Sequence, residues 1–64
     1  MQRRFTLKSA RVTAGLSQIE AAKKLGIAVT TLRNWEQGAT YPKYPDIENI
    51  CNLYEIPFDQ IDFV

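Results

Sequence analysis

The sequence lacks histidine entirely and contains a single cysteine, Cys51. One cysteine cannot form a disulfide framework, and the absence of histidine excludes the usual zinc-ligand sets and histidine-based catalysis. No apolar run approaches the roughly 20 residues that a membrane-spanning helix needs. The basic start is not followed by the apolar segment of a secretory signal peptide. We therefore expect one cytoplasmic domain over residues 1–64, with no cofactor, no metal, no membrane contact and no enzymatic activity.

Basic and acidic residues are sorted along the chain. Residues 1–33 contain seven basic residues and one acid, whereas residues 34–64 contain one basic residue and six acids. Such sorting is typical of a front half that faces a polyanion and a back half that is solvated or faces a partner. Charge that only aids solubility explains the same pattern, and composition alone does not separate the two interpretations.

Helix start and stop signals recur along the chain, whereas strand signals are weak. We predict an all-α fold, a compact bundle of five short helices. The expected helix starts lie after Thr6, Ser17 and Ile27, at Pro45, and after Pro57. Glycines end the first three helices, because glycine adopts the left-handed backbone conformation cheaply; these are Gly15, Gly26 and Gly38.

Apolar residues at helical spacing predict which side of each helix is buried. In the second helix they are Ile19, Ala22 and Leu25. In the third helix they are Ile27, Leu32 and Trp35. In the fourth helix they are Ile47, Ile50, Cys51 and Tyr54. Phe58 and Ile61, in the fifth, are expected to complete the core.

A tight turn after Gly26 joins the second helix to the third, and small alanines allow the two helix axes to approach closely. We therefore predict a helix-turn-helix over about residues 17–37. The segment 16–38, LSQIEAAKKLGIAVTTLRNWEQG, resembles the Cro and phage-repressor (lambda-repressor-like) DNA-binding family. The shared pattern is Leu-Ser-Gln, an apolar residue and Ala, Leu-Gly-apolar, and Trp-Glu followed by Gly. The resemblance extends weakly upstream to Arg11 and downstream to Ile61.

This resemblance implies that the third helix lies in the major groove of DNA and presents its first turns to base edges. The matching positions are Val29, Thr30, Arg33 and Asn34. Asn bonds adenine, Arg bonds guanine, and the methyl groups of Val or Thr contact thymine. An exposed valine at a helix start has little structural purpose, although packing against a neighbouring helix also explains it.

The family also implies contacts to DNA phosphates. The matching residues are Ser17 and Gln18 at the start of the second helix, where free amides and the helix dipole favour an anion, and Thr40, Tyr41 and Lys43 in the loop after the third helix. Arg3, Arg4 and Lys8 reach phosphates from the N-terminus or remain in solvent.

Arg11 and Glu36 match a partly buried salt bridge that holds the third helix on the first in several members of the family. We expect Arg11→Met to lower the melting temperature even without DNA. At the start of the third helix the family usually has Ser or Thr, and Ala28 is a poor cap that costs about 1 kcal/mol relative to serine.

The expected function is sequence-specific binding of double-stranded DNA by a phage- or prokaryote-type repressor that occupies its operator. One domain reads few base pairs, so a weak homodimer on an inverted repeat is expected. Phe63 and Val64 are the better candidates for its interface, because they are hard to bury within one subunit. The alternative is an antitoxin-type regulator whose acidic C-terminal half binds a protein partner.

Overall fold

Each α-helix in the described part of the chain follows an N-cap residue with extended backbone, and the sequence explains most of these starts. The computed structural model describes residues 4–63. Its helices are α1 (Leu7–Thr13), α2 (Gln18–Leu25), α3 (Val29–Gln37) and α4 (Tyr44–Tyr54). A two-residue strand β1 (Phe5–Thr6) precedes α1, and a 3-10 turn (Phe58–Gln60) and strand β2 (Ile61–Asp62) follow α4.

Capping boxes start the first two helices. The Ser17 hydroxyl accepts a hydrogen bond from the Glu20 amide at 3.1 Å, and the Ser17 amide donates to the Glu20 carboxylate at 3.0 Å. Thr6 and Ser9 form the same reciprocal pair at the start of α1. Each pair satisfies amides that a helix start leaves without internal partners. The predicted starts at Thr6 and Ser17 are therefore confirmed.

The helix-turn-helix consists of α2, a short turn and α3. Gly26 ends α2 with φ at 72°, in the left-handed region that glycine adopts without steric cost. Ala21 and Ala22, the buried residues of α2, have side chains small enough for α3 to pack closely. These two helices and the turn between them span residues 18–37.

The core is formed by one side of every α-helix together with residues near the C-terminus. Its buried apolar members are Leu7, Ala10, Ala21, Ala22, Leu32, Trp35, Ile50, Tyr54, Ile56 and Ile61. Trp35 is thus a core residue, as predicted. Cys51 is half-buried against this cluster, and burial raises the pKa of its thiol. That shift makes the thiolate scarcer and the residue less reactive.

The prediction of an all-α bundle of five helices is wrong at the C-terminal end. After Pro57 the chain makes only a 3-10 turn, and β2 then pairs in parallel with β1, with Phe5 opposite Ile61. Strands of two residues are too short to show an alternating pattern, so the sequence carries no signal for them. Residues 4–63 thus form four α-helices, one 3-10 turn and a minimal parallel strand pair.

The aromatic residues near the C-terminus are also placed differently from the prediction. Ile61 is buried as expected, but Phe58 is 56% exposed and does not complete the core. Its ring stacks on that of Phe63, with the ring centroids 5.9 Å apart. Phe63 is half-buried and packs against the core of its own subunit, whereas the sequence predicts that it is hard to bury there. Val64 lies outside the described residues.

Candidate nucleic-acid interface

An open cleft of about 500 Å³ lies where the start of α2 meets the first turns of α3. Seven residues line this α2–α3 cleft: Lys8, Arg11, Ser17, Gln18, Ile19, Val29 and Arg33. They come from α1, from the beginning of α2 and from α3. The fold therefore brings two predicted base-contacting residues together with two predicted phosphate-contacting residues.

The predicted base-contacting residues share one side of α3. Positions 29, 30, 33 and 34 follow the i, i+1, i+4, i+5 spacing of a helix face, and the buried residues Leu32 and Trp35 lie on the other side. Thr30, Arg33 and Asn34 are exposed. This face of α3 is therefore accessible to a macromolecular ligand.

Val29 is the first residue of α3, and its position is consistent both with packing against a neighbouring helix and with contact to a ligand. It is half-buried and packs against the core, and it also lines the α2–α3 cleft. Its neighbour Ala28 makes no side-chain capping bond, as expected for alanine at this position. The start of the exposed helix is thus held by packing rather than by a cap.

The start of α2 presents donors to the same cleft. The capping box uses the amides of Ser17 and Glu20, and the first-turn amides of Gln18 and Ile19 have no partner within the helix. The hydrogen bond from the Ser17 amide is the main cause that lowers the pKa of the Glu20 carboxyl group. Glu20 is therefore ionised at neutral pH and complements the positive end of the α2 dipole.

Arg11 and Glu36 form an ion pair beneath the cleft. Arg11 Nε donates to Glu36 Oε2 at 2.8 Å, and the two side chains are only 9% and 4% exposed. A further donor of Arg11, Nη1, bonds the Leu16 carbonyl at 2.8 Å. These contacts join α1 to α3 and to the residue that precedes the α2 capping box.

Gln18 belongs to the same cluster, which the sequence did not indicate. Its side-chain Nε2 donates to Glu36 Oε1 at 3.0 Å, and the residue is half-buried. The predicted phosphate donor is therefore already bonded to a carboxylate on α3. The two residues are 18 positions apart, so no local pattern reveals the contact.

The hydroxyl of Tyr54 is buried close to this cluster. Within residues 4–63 it has no hydrogen-bond partner. The pKa of Tyr54 is raised to about 12, mainly by burial and also by the nearby negative charge of Glu36, and Arg11 opposes the change. Tyr54 is thus a neutral phenol at physiological pH.

Other predicted phosphate-contacting residues lie away from the cleft. Thr40, Tyr41 and Lys43 are exposed between α3 and α4 and do not line it. Arg4 donates to the Asp62 carboxylate at 3.2 Å and thereby ties β1 to β2. This ion pair lowers the pKa of Asp62. Arg3 lies outside the described residues.

Ile19 is the cleft residue that sequence reasoning placed wrongly. The apolar spacing predicts that Ile19 lies on the buried side of α2, yet it is 71% exposed and lines the cleft. The buried side is set by Ala21 and Ala22, and a residue two positions before Ala21 points about 200° away around a helix of 3.6 residues per turn. The adjacent alanines were the signal that could have located it.

Two further classes of site receive no support from residues 4–63. No group of three or more His, Cys, Asp or Glu side chains in this range is arranged to hold a metal ion. None of the helices formed by these residues is long and apolar enough to cross a membrane.

Comparison with known proteins places the chain in a family. A family profile described as helix-turn-helix matches residues 7–61. The HTH-type transcriptional regulator ImmR of Bacillus subtilis (strain 168) is 38% identical over 55 residues, which are 86% of this chain and 43% of that protein. This chain thus spans less than half the length of that relative. No solved structure matches this chain significantly. With most of its length covered by the profile, the chain belongs to the Cro/C1-type, lambda-repressor-like family of helix-turn-helix DNA-binding domains.

Proposed function

We propose that this domain binds double-stranded DNA sequence-specifically, with α3 in the major groove. The observation that carries the proposal is the α2–α3 cleft, in which Gln18 and the free amides of α2 adjoin Val29 and Arg33 of α3. A helix start offers donors to the phosphate backbone, and an adjoining exposed helix face offers groups to base edges. The two kinds of contact are needed together for a specific complex.

In this complex Val29, Thr30, Arg33 and Asn34 contact bases. Asn34 and Arg33 supply the amide and guanidinium that pair with adenine and guanine, and the methyl groups of Val29 and Thr30 contact thymine. Ser17 and Gln18 bind phosphate at the start of α2. The exposed residues that follow α3 extend the phosphate contacts further along the backbone; they are Thr40, Tyr41 and Lys43.

Selection of bound sequences from a random duplex pool at fixed salt tests the proposal. We expect one enriched motif, and we expect Asn34→Ala or Val29→Ala to change the preferred bases. Gln18→Ala should weaken binding to all sequences alike, because phosphate contacts carry no base information. If scrambled duplexes bind as well as any selected one, the assignment of α3 to base reading is wrong.

We further infer that two copies bind an inverted repeat. Two recognition helices about one DNA turn, or 34 Å, apart give the affinity that one small domain lacks. The exposed Phe58 ring, stacked on Phe63, supplies an apolar surface for the second copy. We expect Phe58→Ser to weaken self-association in sedimentation while the fold is retained. An unchanged sedimentation profile at all concentrations would exclude this surface as the interface.

The regulatory role follows from occupancy of an operator. A bound domain blocks or recruits RNA polymerase and performs no chemistry itself. The bacterial relative is described as a transcriptional regulator, and we propose the same role here, as a repressor at DNA in a bacterial or phage-infected cytoplasm. A reporter gene placed behind the selected motif should lose expression when the protein is present, and Asn34→Ala should restore it.

A further inference from the structure

The Glu36 carboxylate is shared between two partners from different helices. Arg11 Nε donates to its Oε2 at 2.8 Å, and Gln18 Nε2 donates to its Oε1 at 3.0 Å. The Glu36 side chain is 4% exposed, whereas Gln18 is half-buried and lines the α2–α3 cleft. Glu36 thus connects a buried cation to a polar side chain at the surface of the cleft.

This contact determines how the Gln18 amide is oriented. A carboxylate only accepts hydrogen bonds, so the amide nitrogen and not the carbonyl oxygen must face Glu36. One N–H of Nε2 is used there, and the second N–H is the donor left for a ligand. A phosphate oxygen also only accepts, so this second N–H is the group by which Gln18 binds it.

Charge explains why Arg11 belongs to the arrangement. A lone buried carboxylate close to the cleft would repel a phosphate, and burial would strengthen that repulsion. Arg11 neutralises Glu36 at hydrogen-bond distance. The N–H that Glu36 holds makes a charge-assisted bond, which is stronger and more directional than a neutral one.

We propose that Glu36 is a positioning residue for DNA: it holds the Gln18 amide with its second N–H available to a backbone phosphate, while Arg11 cancels its charge. This inference rests on the proposed binding of DNA. It assigns to Glu36 a role beyond attaching α3 to α1, because the Gln18 contact belongs to the ligand surface. Glu36 itself does not touch the nucleic acid.

A double-mutant cycle tests the proposal. The reference is the native protein, and the second background is Arg11→Met/Glu36→Leu, which removes both charges and leaves neither uncompensated. Gln18→Ala is introduced into each background, and duplex affinity is measured at one salt concentration on a selected sequence. The exposed Gln37→Ala serves as the matched control in the native background. Circular dichroism verifies that every variant is folded.

We expect Gln18→Ala to weaken binding about tenfold in the native background, which corresponds to one charge-assisted hydrogen bond. In the second background the same substitution should change affinity less than about twofold, because the amide is no longer held. Gln37→Ala should have no effect. Equal losses in both backgrounds would overturn the positioning role while leaving DNA binding intact. Failure of the native protein to bind any duplex would overturn the proposed function and this inference together.

A second measurement needs neither DNA nor the double variant. Nuclear magnetic resonance follows the two side-chain amide protons of Gln18 in the native protein. We expect one of them to exchange with solvent at least tenfold more slowly than those of Gln37, and Glu36→Gln to reduce this protection, since a neutral acceptor bonds less strongly. Equal exchange rates at Gln18 and Gln37 in the native protein would overturn the proposal.

Discussion

At the scale of single residues, the buried cluster around Glu36 combines satisfied and unsatisfied groups. Arg11 and Gln18 occupy both oxygens of the carboxylate. The Tyr54 hydroxyl is buried nearby without a partner among residues 4–63. Because an unpaired buried hydroxyl loses its hydration without compensation, this position is locally destabilising.

We therefore predict that Tyr54→Phe increases the free energy of unfolding by about 1 kcal/mol, since the ring still fills the core and the unpaired hydroxyl is gone. Chemical denaturation without DNA measures the change. Tyr44→Phe is the matched control, because Tyr44 is exposed and its hydroxyl is hydrated. A loss of stability in Tyr54→Phe would show that the hydroxyl makes a favourable interaction.

At the scale of single elements, α3 is the only described α-helix with alanine at its N-cap position, and its start has no side-chain bond. Ala28→Ser supplies the missing acceptor. We predict a gain of about 1 kcal/mol in the free energy of unfolding, measured as a higher melting temperature. Ala39→Ser, an exposed substitution outside any helix, controls for composition. If the two variants melt alike, the α3 start is limited by packing and not by the missing cap.

The capping box of α2 makes stability depend on pH. Folding lowers the pKa of Glu20, so its stabilising contribution is complete above the ordinary glutamate pKa of about 4.3 and is lost as the pH falls through the folded-state value. Glu20→Gln keeps an oxygen that accepts from the Ser17 amide but does not titrate. We predict that the native protein melts higher than Glu20→Gln at about pH 7 and that the difference shrinks as the pH falls below the ordinary glutamate pKa. A difference independent of pH would contradict this assignment.

At the scale of the whole molecule, the sorted charges become a spatial arrangement. Lys8, Arg11 and Arg33, which belong to the basic front half of the sequence, line the α2–α3 cleft. Arg11 is neutralised by Glu36, and Arg4 is paired with Asp62. Because Arg11 and Arg4 are paired with carboxylates, their charges are not available to a polyanion. Among the residues that line the cleft, Lys8 and Arg33 are the remaining cations.

We predict that Lys8→Gln weakens duplex binding and reduces the slope of log affinity against log salt by about 1, as expected when one phosphate contact is lost. Lys24→Gln is the control, because Lys24 lies in the last turn of α2, at the opposite end from the cleft. Titrations at four or more salt concentrations measure both slopes. The same slope for Lys8→Gln and the native protein would mean that the Lys8 side chain stays solvated in the complex.

Local signals in the sequence determined the capped starts of α1 and α2, the glycine stops, the helix-turn-helix and the family, because a cap or a stop involves residues only a few positions apart. The tertiary structure decided the remainder. Glu36 meets Gln18 and Arg11 across 18 and 25 positions, and Arg4 meets Asp62 across 58. Such contacts depend on how the helices pack against one another. Helix packing is determined by the burial of apolar surface along the whole chain, and a short sequence pattern contains no information about it.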